Sequence, residues 1–481
     1  MNIRMIFYML GRIISLEAFI LLLPMVCSLI YGESCVISFA ITSVIALVIG
    51  AGLSVCANPK DKTIFAREGF LIVSLAWIAL SAIGAIPFVL CGNIPSYVDA
   101  FFETASGFTT TGASIMPDVE SAYKGVLLWR SFTHWVGGMG VLVLFMAIFP
   151  TDTGRVIHVM RAEMPGPIVG KLVPKIKTTA KILYLIYIVL TLIQIILLWV
   201  GDMNLFESII YSIGTAGTGG FGIDADGLSG YSAYSQWVIT AFMIIFGINF
   251  NLYYLILTKK VCSAIKSEEL WTYVGIVVVS TVVIAFNIFD TFGWDSIRTS
   301  AFQVASIIST TGYASADFNL WPTMSKSILF LLMFTGACAG STAGGFKLSR
   351  VVLLFKAIRS NLRHIIHTRS VSSVKFEGKI VDKETLSGVT SYLAVYFFCL
   401  AAFFLLICFE PFDFETNISA VASCFNNIGP AFGSAGPMSN YAAYSDFSKI
   451  VLSFAMLMGR LEIYPMLILF SAFSIRRRNK I

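Results

Sequence analysis

Four short segments of this chain carry the same kind of polar turn with a glycine, each set in an otherwise apolar stretch. They are Thr110-Thr111-Gly112-Ala113, Thr218-Gly219-Gly220-Phe221, Thr310-Thr311-Gly312-Tyr313 and Asn427-Ile428-Gly429-Pro430. Irregular backbone at membrane depth is tolerated only where it is buried in protein or lines a watery cavity. Four such turns therefore imply one pore with four walls. The match extends upstream: the position six residues before each glycine is small, Ser106, Gly214, Ser306 and Ser423. The position before that is Ala105, Ile213, Ala305 or Ala422. The glycines recur about every hundred residues, as expected of a quarter-chain unit repeated four times.

The chemistry of these turns suits a monovalent cation. A potassium ion crossing a bilayer must exchange its hydration shell for protein oxygens, and a ring of backbone carbonyls from four loops supplies them without fixed charge. Threonine adds a hydroxyl acceptor, and glycine permits the backbone angles that turn carbonyls inward. The candidate ion ligands are thus Thr110, Thr111, Gly112, Thr218, Gly219, Gly220, Thr310, Thr311, Gly312, Asn427, Ile428 and Gly429, with asparagine replacing threonine in the fourth segment.

At 57% hydrophobic and 12% charged residues, the 481-residue chain is too apolar for an ordinary soluble enzyme and reads as an all-α polytopic membrane protein. Ten runs of spanning length are predicted near 11–31, 36–57, 68–90, 125–149, 179–200, 236–258, 270–288, 325–354, 386–409 and 448–473. A shorter segment bearing one glycine turn lies between the third and fourth, fifth and sixth, seventh and eighth, and ninth and tenth. Each is expected to dip in as a half-helix and return extended. The units divide as 1–60 (two extra helices), 61–160, 161–265, 266–370 and 371–481.

Basic residues set the orientation. Lys60, Lys62 and Arg67; Arg155 to Lys181; Lys259, Lys260 and Lys266; Lys356 to Lys383; and Arg476 to Lys480 fall on one side, which is then cytoplasmic, with both termini inside. The opposite side collects acids such as Asp118, Asp202, Asp224, Glu410 and Asp413, which either concentrate cations or serve as ordinary solvated loop residues. The net charge of +6 is a topology signal, with no aromatic-interleaved basic motif for nucleic acid. Nine scattered cysteines form no disulfide framework or metal spacing. The first apolar run reads as a membrane helix, since it is spanning length and lacks a small-residue cleavage site.

With these turns in view, the chain resembles the Trk/Ktr/HKT superfamily of potassium transporters, nearest its bacterial TrkH-type subunits, over essentially its whole length. The resemblance implies a potassium-conducting pore in each subunit, a homodimer in the bacterial inner membrane, and a cytoplasmic TrkA-type nucleotide-binding regulatory ring. It implies no enzyme activity and no organic cofactor; potassium is cargo. Plant relatives with serine in the first filter tend to favour sodium, and Gly112 matches the potassium pattern. Asn427 and Pro430 make the fourth filter depart from the other three.

Gly336, Gly340, Gly344 and Gly345, with Ser341, Thr342 and Lys347, interrupt the inner helix of the third unit. Glycine costs ~1 kcal/mol against alanine in a helix, so this run is expected to unwind. It is similar to the family's intramembrane gating loop; the other reading is close helix packing through small residues. Arg460 matches the family's arginine in the fourth inner helix, placed to repel cations, and the competing reading pairs it with Glu462. Asn249 and Asn251 are expected on the second inner helix, lining the cavity or bonding between helices. Arg130 and His134, near the outer start of an inner helix, are expected to brace Glu103. Trp129, Trp135, Trp199, Trp237 and Trp321 read as interfacial anchors. Two other function classes compete with a selective pore: an ion-coupled symporter with a midplane site, and a membrane enzyme. Four turns rather than two repeats disfavour the first, and the second is disfavoured because the four histidines (His134, His158, His364, His367) form no catalytic cluster apart from one cytoplasmic pair.

Overall fold

The computed structural model describes residues 2–59, 64–140, 176–367 and 373–469, predominantly helical, with one two-stranded hairpin at Lys375–Phe376 and Lys379–Ile380. Among the described residues six helices are long and apolar enough to cross a membrane: Ile3–Ile30, Val36–Ala57, Arg67–Leu90, Ala180–Val200, Glu268–Asn287 and Lys383–Ile407. A bent pair, Ala233–Phe246 with Phe250–Leu257, is long and apolar enough when its two halves are taken together. Besides the bent pair at 236–258, three predicted runs differ from continuous helices. The run at 125–149 gives Lys124–Gly138 and then passes outside the described residues. The run at 325–354 splits into Thr323–Met333 and Leu348–Ile366. The run at 448–473 breaks after Asp446–Arg460, because Glu462 and Ile463 adopt positive φ.

Four short helices stand apart: Tyr97–Phe108, Leu205–Gly217, Ser296–Ile308 and Phe414–Phe425. At 12 to 13 residues each, they extend roughly 18–20 Å, too short for the ~30 Å hydrocarbon core. Local chemistry starts them: Ser96 accepts from the Asp99 N–H, and Asn204 with Glu207 forms a reciprocal capping box. Each ends just before a glycine turn, so the negative end of its dipole faces that turn.

The two N-terminal helices cross where Gly11 meets Gly50: a Cβ on Gly11 would lie 2.5 Å from the Gly50 carbonyl oxygen. Without a hydrophobic drive between helices in lipid, such close backbone contact supplies the packing. Among the tryptophans the anchor reading divides. Trp199 and Trp237 are exposed, but Trp129 is fully buried, with its Nε1 donating to the Gly84 carbonyl at 3.0 Å, and Trp321 is buried as well.

Candidate ion pathway

The four turns share one backbone despite differing in sequence. Thr110, Thr218, Thr310 and Asn427 all have φ of 55–56°, and Gly112, Gly220, Gly312 and Gly429 have φ of 78–103°. The residue between donates its N–H back to the small residue near the end of the preceding helix. Thr111 bonds to Ser106, Gly219 to Gly214, Thr311 to Ser306 and Ile428 to Ser423, at 2.9–3.0 Å. Left-handed residues alternating with ordinary ones let a short strand present its carbonyls along one side.

The turns close on one another as a ring. A Cβ added to Gly112 would strike the Gly219 carbonyl oxygen, one on Gly220 the Thr311 oxygen, and one on Gly312 the Ile428 oxygen. A Cβ on Gly429 would lie 2.6 Å from the Thr111 oxygen, completing the circuit. Glycine is therefore required twice at each position, for its φ and for the neighbouring carbonyl. Each seam is also bonded. Arg130 Nη1 donates to the Gly222 carbonyl (3.3 Å), the Leu228 N–H to Ala314 (2.8 Å), the Gly433 N–H to Asn319 Oδ1 (3.1 Å) and the Tyr441 N–H to Ser114 (2.8 Å).

Side chains at the ring are less alike. Thr109 and Thr111 share a hydroxyl contact of 2.8 Å, matched by Ser309 and Thr311 at 2.7 Å. Asn427 reaches over the seam to the first turn, its Nδ2 donating to Thr111 Oγ1 (3.0 Å) and to the Met456 carbonyl (2.9 Å). Thr110 Oγ1 and Asn427 Oδ1, at matched positions, are buried with no hydrogen-bond partner among the described residues.

A cavity of about 150 Å³ opens at the Gly112 end of the ring, lined by all four glycines, Arg130 and Asp224. Of the candidate outer acids discussed above, Asp224 is the one that lines it, and its Oδ2 accepts from the Tyr211 (3.1 Å) and Tyr231 (2.8 Å) hydroxyls. Asp202, Glu410 and Asp413 instead hold Ser232, Ser445 and Thr416 at helix starts, which is local capping work. Asp118, in the loop before the helix Lys124–Gly138, is held below the usual carboxylate range by hydrogen bonds from Ser121.

At the other end of the ring lies the glycine-rich segment, unwound from Phe334 to Lys347. Gly336, Gly340 and Gly345 take positive φ, as does Lys347 at 76°. The segment is tied on every side. The Gly344 N–H donates to Thr310 Oγ1 (2.7 Å), the Cys338 N–H to the Gly247 carbonyl (3.1 Å), and the Phe250 N–H to the Gly340 carbonyl (3.0 Å). Ser341 Oγ bonds back to Cys338, and Thr342 Oγ1 to Phe246. Arg460 donates to three carbonyls: Thr342 (2.9 Å), Gly137 (2.6 Å) and Gly138 (2.8 Å). Lys347 is buried, with its ammonium on the Ala343 carbonyl. Lys347 and Arg460 both line a cavity of about 50 Å³, together with Gly138, Phe250 and Gly340.

Several sequence readings change here. Glu462 pairs with Arg350 (2.6 Å), while the Arg460 guanidinium donates to backbone carbonyls. Asn249 does not ride a continuous helix: the backbone turns by 90° at this point, and Asn249 caps the second half by accepting from the Asn251 N–H. Arg130 does hold Glu103, at 2.7 Å, but His134 does not. His134 sits late in its helix, with Nδ1 2.8 Å from the Gly107 carbonyl and its ring against Gly219. The Arg350 partnership and the tie from Thr310 to Gly344 had no signal in the sequence, since spacing along the chain does not report contacts across it. Arg155, Arg161, Lys171, Lys175, Lys60, Lys62 and the basic C-terminus lie outside the described residues.

A profile of the TrkH family, cation transport protein, matches residues 36–274 and 288–476. The chain belongs to the TrkH family. It is 33% identical over 479 residues to the Trk system potassium uptake protein TrkG of Escherichia coli (strain K12), covering 98% of both chains. It is also 33% identical to the Trk system potassium uptake protein TrkH of Salmonella typhimurium, covering 98% of this chain and 99% of that one. The crystal structure of the potassium transporter TrkH from Vibrio parahaemolyticus superposes with a TM-score of 0.87 at 30% identity, covering 98% of each chain. TrkH-family membership places the chain among transport proteins rather than enzymes. It also agrees with the resemblance drawn from the four turns.

Proposed function

We propose that this chain takes up potassium across the bacterial cytoplasmic membrane through the ring of four turns. The observation that carries the reading is the closed circuit of glycines and carbonyls, which surrounds one axis with backbone oxygens and no fixed charge. The unpartnered Thr110 Oγ1 and Asn427 Oδ1 add side-chain oxygens at matched positions. The chain's relatives are named for potassium uptake, which supports the choice of ion.

In this reading ten spans form four helix–pore-helix–helix units after two extra helices, with both termini cytoplasmic. The glycine-rich loop at 336–347 is the gate. Arg460 and Lys347 place positive charge in the small cavity on the inner side, beside Glu462 of the Arg350 pair, where a cation must pass. A homodimer and a cytoplasmic TrkA-type ring complete the working assembly. Rubidium uptake into vesicles under imposed voltage, with and without sodium and proton gradients, tests the proposal. Voltage-driven uptake without either gradient supports a channel-like pore, and a strict requirement for one gradient would replace it with symport.

A further inference from the structure

We propose that Glu269 and Glu377 form a two-carboxylate latch that holds the intramembrane loop shut, so that displacing the 375–380 hairpin releases it. The inference rests on reading that loop as the gate. Glu269 is the second residue of the helix Glu268–Asn287 and is 5% exposed. Its Oε1 accepts the Ala339 N–H at 2.7 Å. Ala339 lies between Cys338, which bonds to Gly247, and Gly340, which accepts from Phe250. One carboxylate therefore fixes the loop between its two bonds to the bend of the second inner helix.

Glu377 explains how the cytoplasmic side reaches this bond. The hairpin turns through Glu377 and Gly378, with φ of 50° and 74°. Glycine and asparagine are the usual residues in such two-residue turns, and a glutamate there is strained. Its side chain accounts for its presence: Oε1 accepts from Ser267 Oγ at 2.9 Å and from the Glu269 N–H at 3.0 Å. The hairpin thus caps, from outside, the helix whose first turn carries Glu269. Behind the tip, Val374, Phe376 and Val381 pack with Leu353 and Val389, and Lys356 bonds to Glu268 and to the Lys375 carbonyl. The tip itself is exposed, so a force on it is passed through Glu377 to the helix start and through Glu269 to the loop.

The test uses the full-length protein in planar bilayers, reading open probability and single-channel conductance, beside a melting curve. Glu377→Gly puts the preferred residue into the turn while removing the carboxylate, so the hairpin itself is not weakened. The latch predicts open probability raised severalfold at unchanged conductance and melting temperature. Glu269→Ala is expected to raise it about tenfold to a hundredfold, the value of a charge-assisted hydrogen bond, and Glu269→Gln, which keeps an acceptor oxygen, to recover part of that. A purely structural role predicts a lower melting temperature for Glu269→Ala with wild-type open probability in both variants, and that result overturns the latch. Should Glu269→Ala fail to fold, Glu377→Gly decides alone. Deleting Gly340–Gly345 separates the two claims. Raised flux in the deletion with wild-type behaviour of Glu377→Gly removes the latch and leaves the gate. Unchanged flux in the deletion removes the gate and the latch with it.

Discussion

At the ring, four stretches of different sequence adopt one backbone; a few ångströms away, four inner helices end in four different ways. The ring repeats its left-handed positions, its back-bonds to Ser106, Gly214, Ser306 and Ser423, and its glycine-to-carbonyl contacts in every quarter. Beneath it, Lys124–Gly138 stops at Met139, the second inner helix bends by 90°, the third unwinds for more than a dozen residues, and the fourth breaks at Glu462 and Ile463. In the proposed pore, ion coordination asks for oxygens on all sides, so sequence there is constrained by φ and by contact. Blocking a passage needs only one wall to move, so the floor is free to be asymmetric. On this contrast, substitutions in the ring should change which ion passes, and substitutions in the floor how often any ion passes.

The largest effect is expected from deleting Gly340–Gly345. It removes the bonds from Gly344 to Thr310 and from Gly340 to Phe250, and it takes the Thr342 carbonyl from Arg460. With each bond worth about 1 kcal/mol net, basal rubidium flux should rise on the order of tenfold or more, with the potassium-to-sodium ratio kept. Flux equal to wild type at matched membrane abundance would return the loop to a packing role.

Arg460→Ala comes next. At ~4–7 Å and an effective dielectric near ~20, like charges repel by roughly 2–4 kcal/mol, an effect that water in the cavity reduces. Single-channel conductance should rise severalfold. Some stability should be lost as well, since three carbonyls lose their donor. Adding Glu462→Ala should not restore that stability, because Glu462 is bonded to Arg350. Rescue by the double variant would overturn the placement of Arg460.

The two regions were unequally legible from the sequence. The ring announced itself because its constraint is local: a left-handed residue, then glycine two positions on, after a small residue that packs near a helix end. The same pattern gives four visible copies. The unwinding at Gly336–Lys347 was legible for the same reason, since glycines cannot hold a helix in register. What stayed hidden were partners far along the chain. Glu462 with Arg350, Thr310 with Gly344 and Asn427 with Thr111 are choices made by packing. The bend at Gly247–Asn249 was also missed, because a single glycine beside asparagine is compatible with a continuous span, and the break is stabilised by the Asn249 cap together with the loop bonding to Gly247 and Phe250.

Gly112→Ser sharpens the comparison from the ring side. The new Cβ would meet the Gly219 carbonyl oxygen and would sit on a backbone with φ of 80°. The neighbouring oxygen must shift, so one wall of four moves out of line. Bi-ionic reversal potentials should show a severalfold lower potassium-to-sodium ratio, while open probability stays near wild type. An unchanged ratio in a folded, conducting variant would remove this carbonyl contact from the selectivity argument.

The smallest effect tests where the two regions touch. Thr310 and Thr110 occupy the same position in their turns, with the same φ of 56° and complete burial. They differ in one respect: Thr310 Oγ1 accepts the Gly344 N–H of the loop, and Thr110 Oγ1 has no partner among the described residues. Replacing each by valine keeps the shape and removes the oxygen. Thr310→Val should loosen the loop by one neutral hydrogen bond, about 0.5 kcal/mol at the low end of such bonds, and raise open probability about twofold. Thr110→Val should leave open probability alone and weaken ion binding, seen as lower conductance at low potassium. Identical changes in the two variants would mean that the loop does not distinguish the first wall from the third, and the division between a fourfold ring and a one-sided floor would fail at the one bond that joins them.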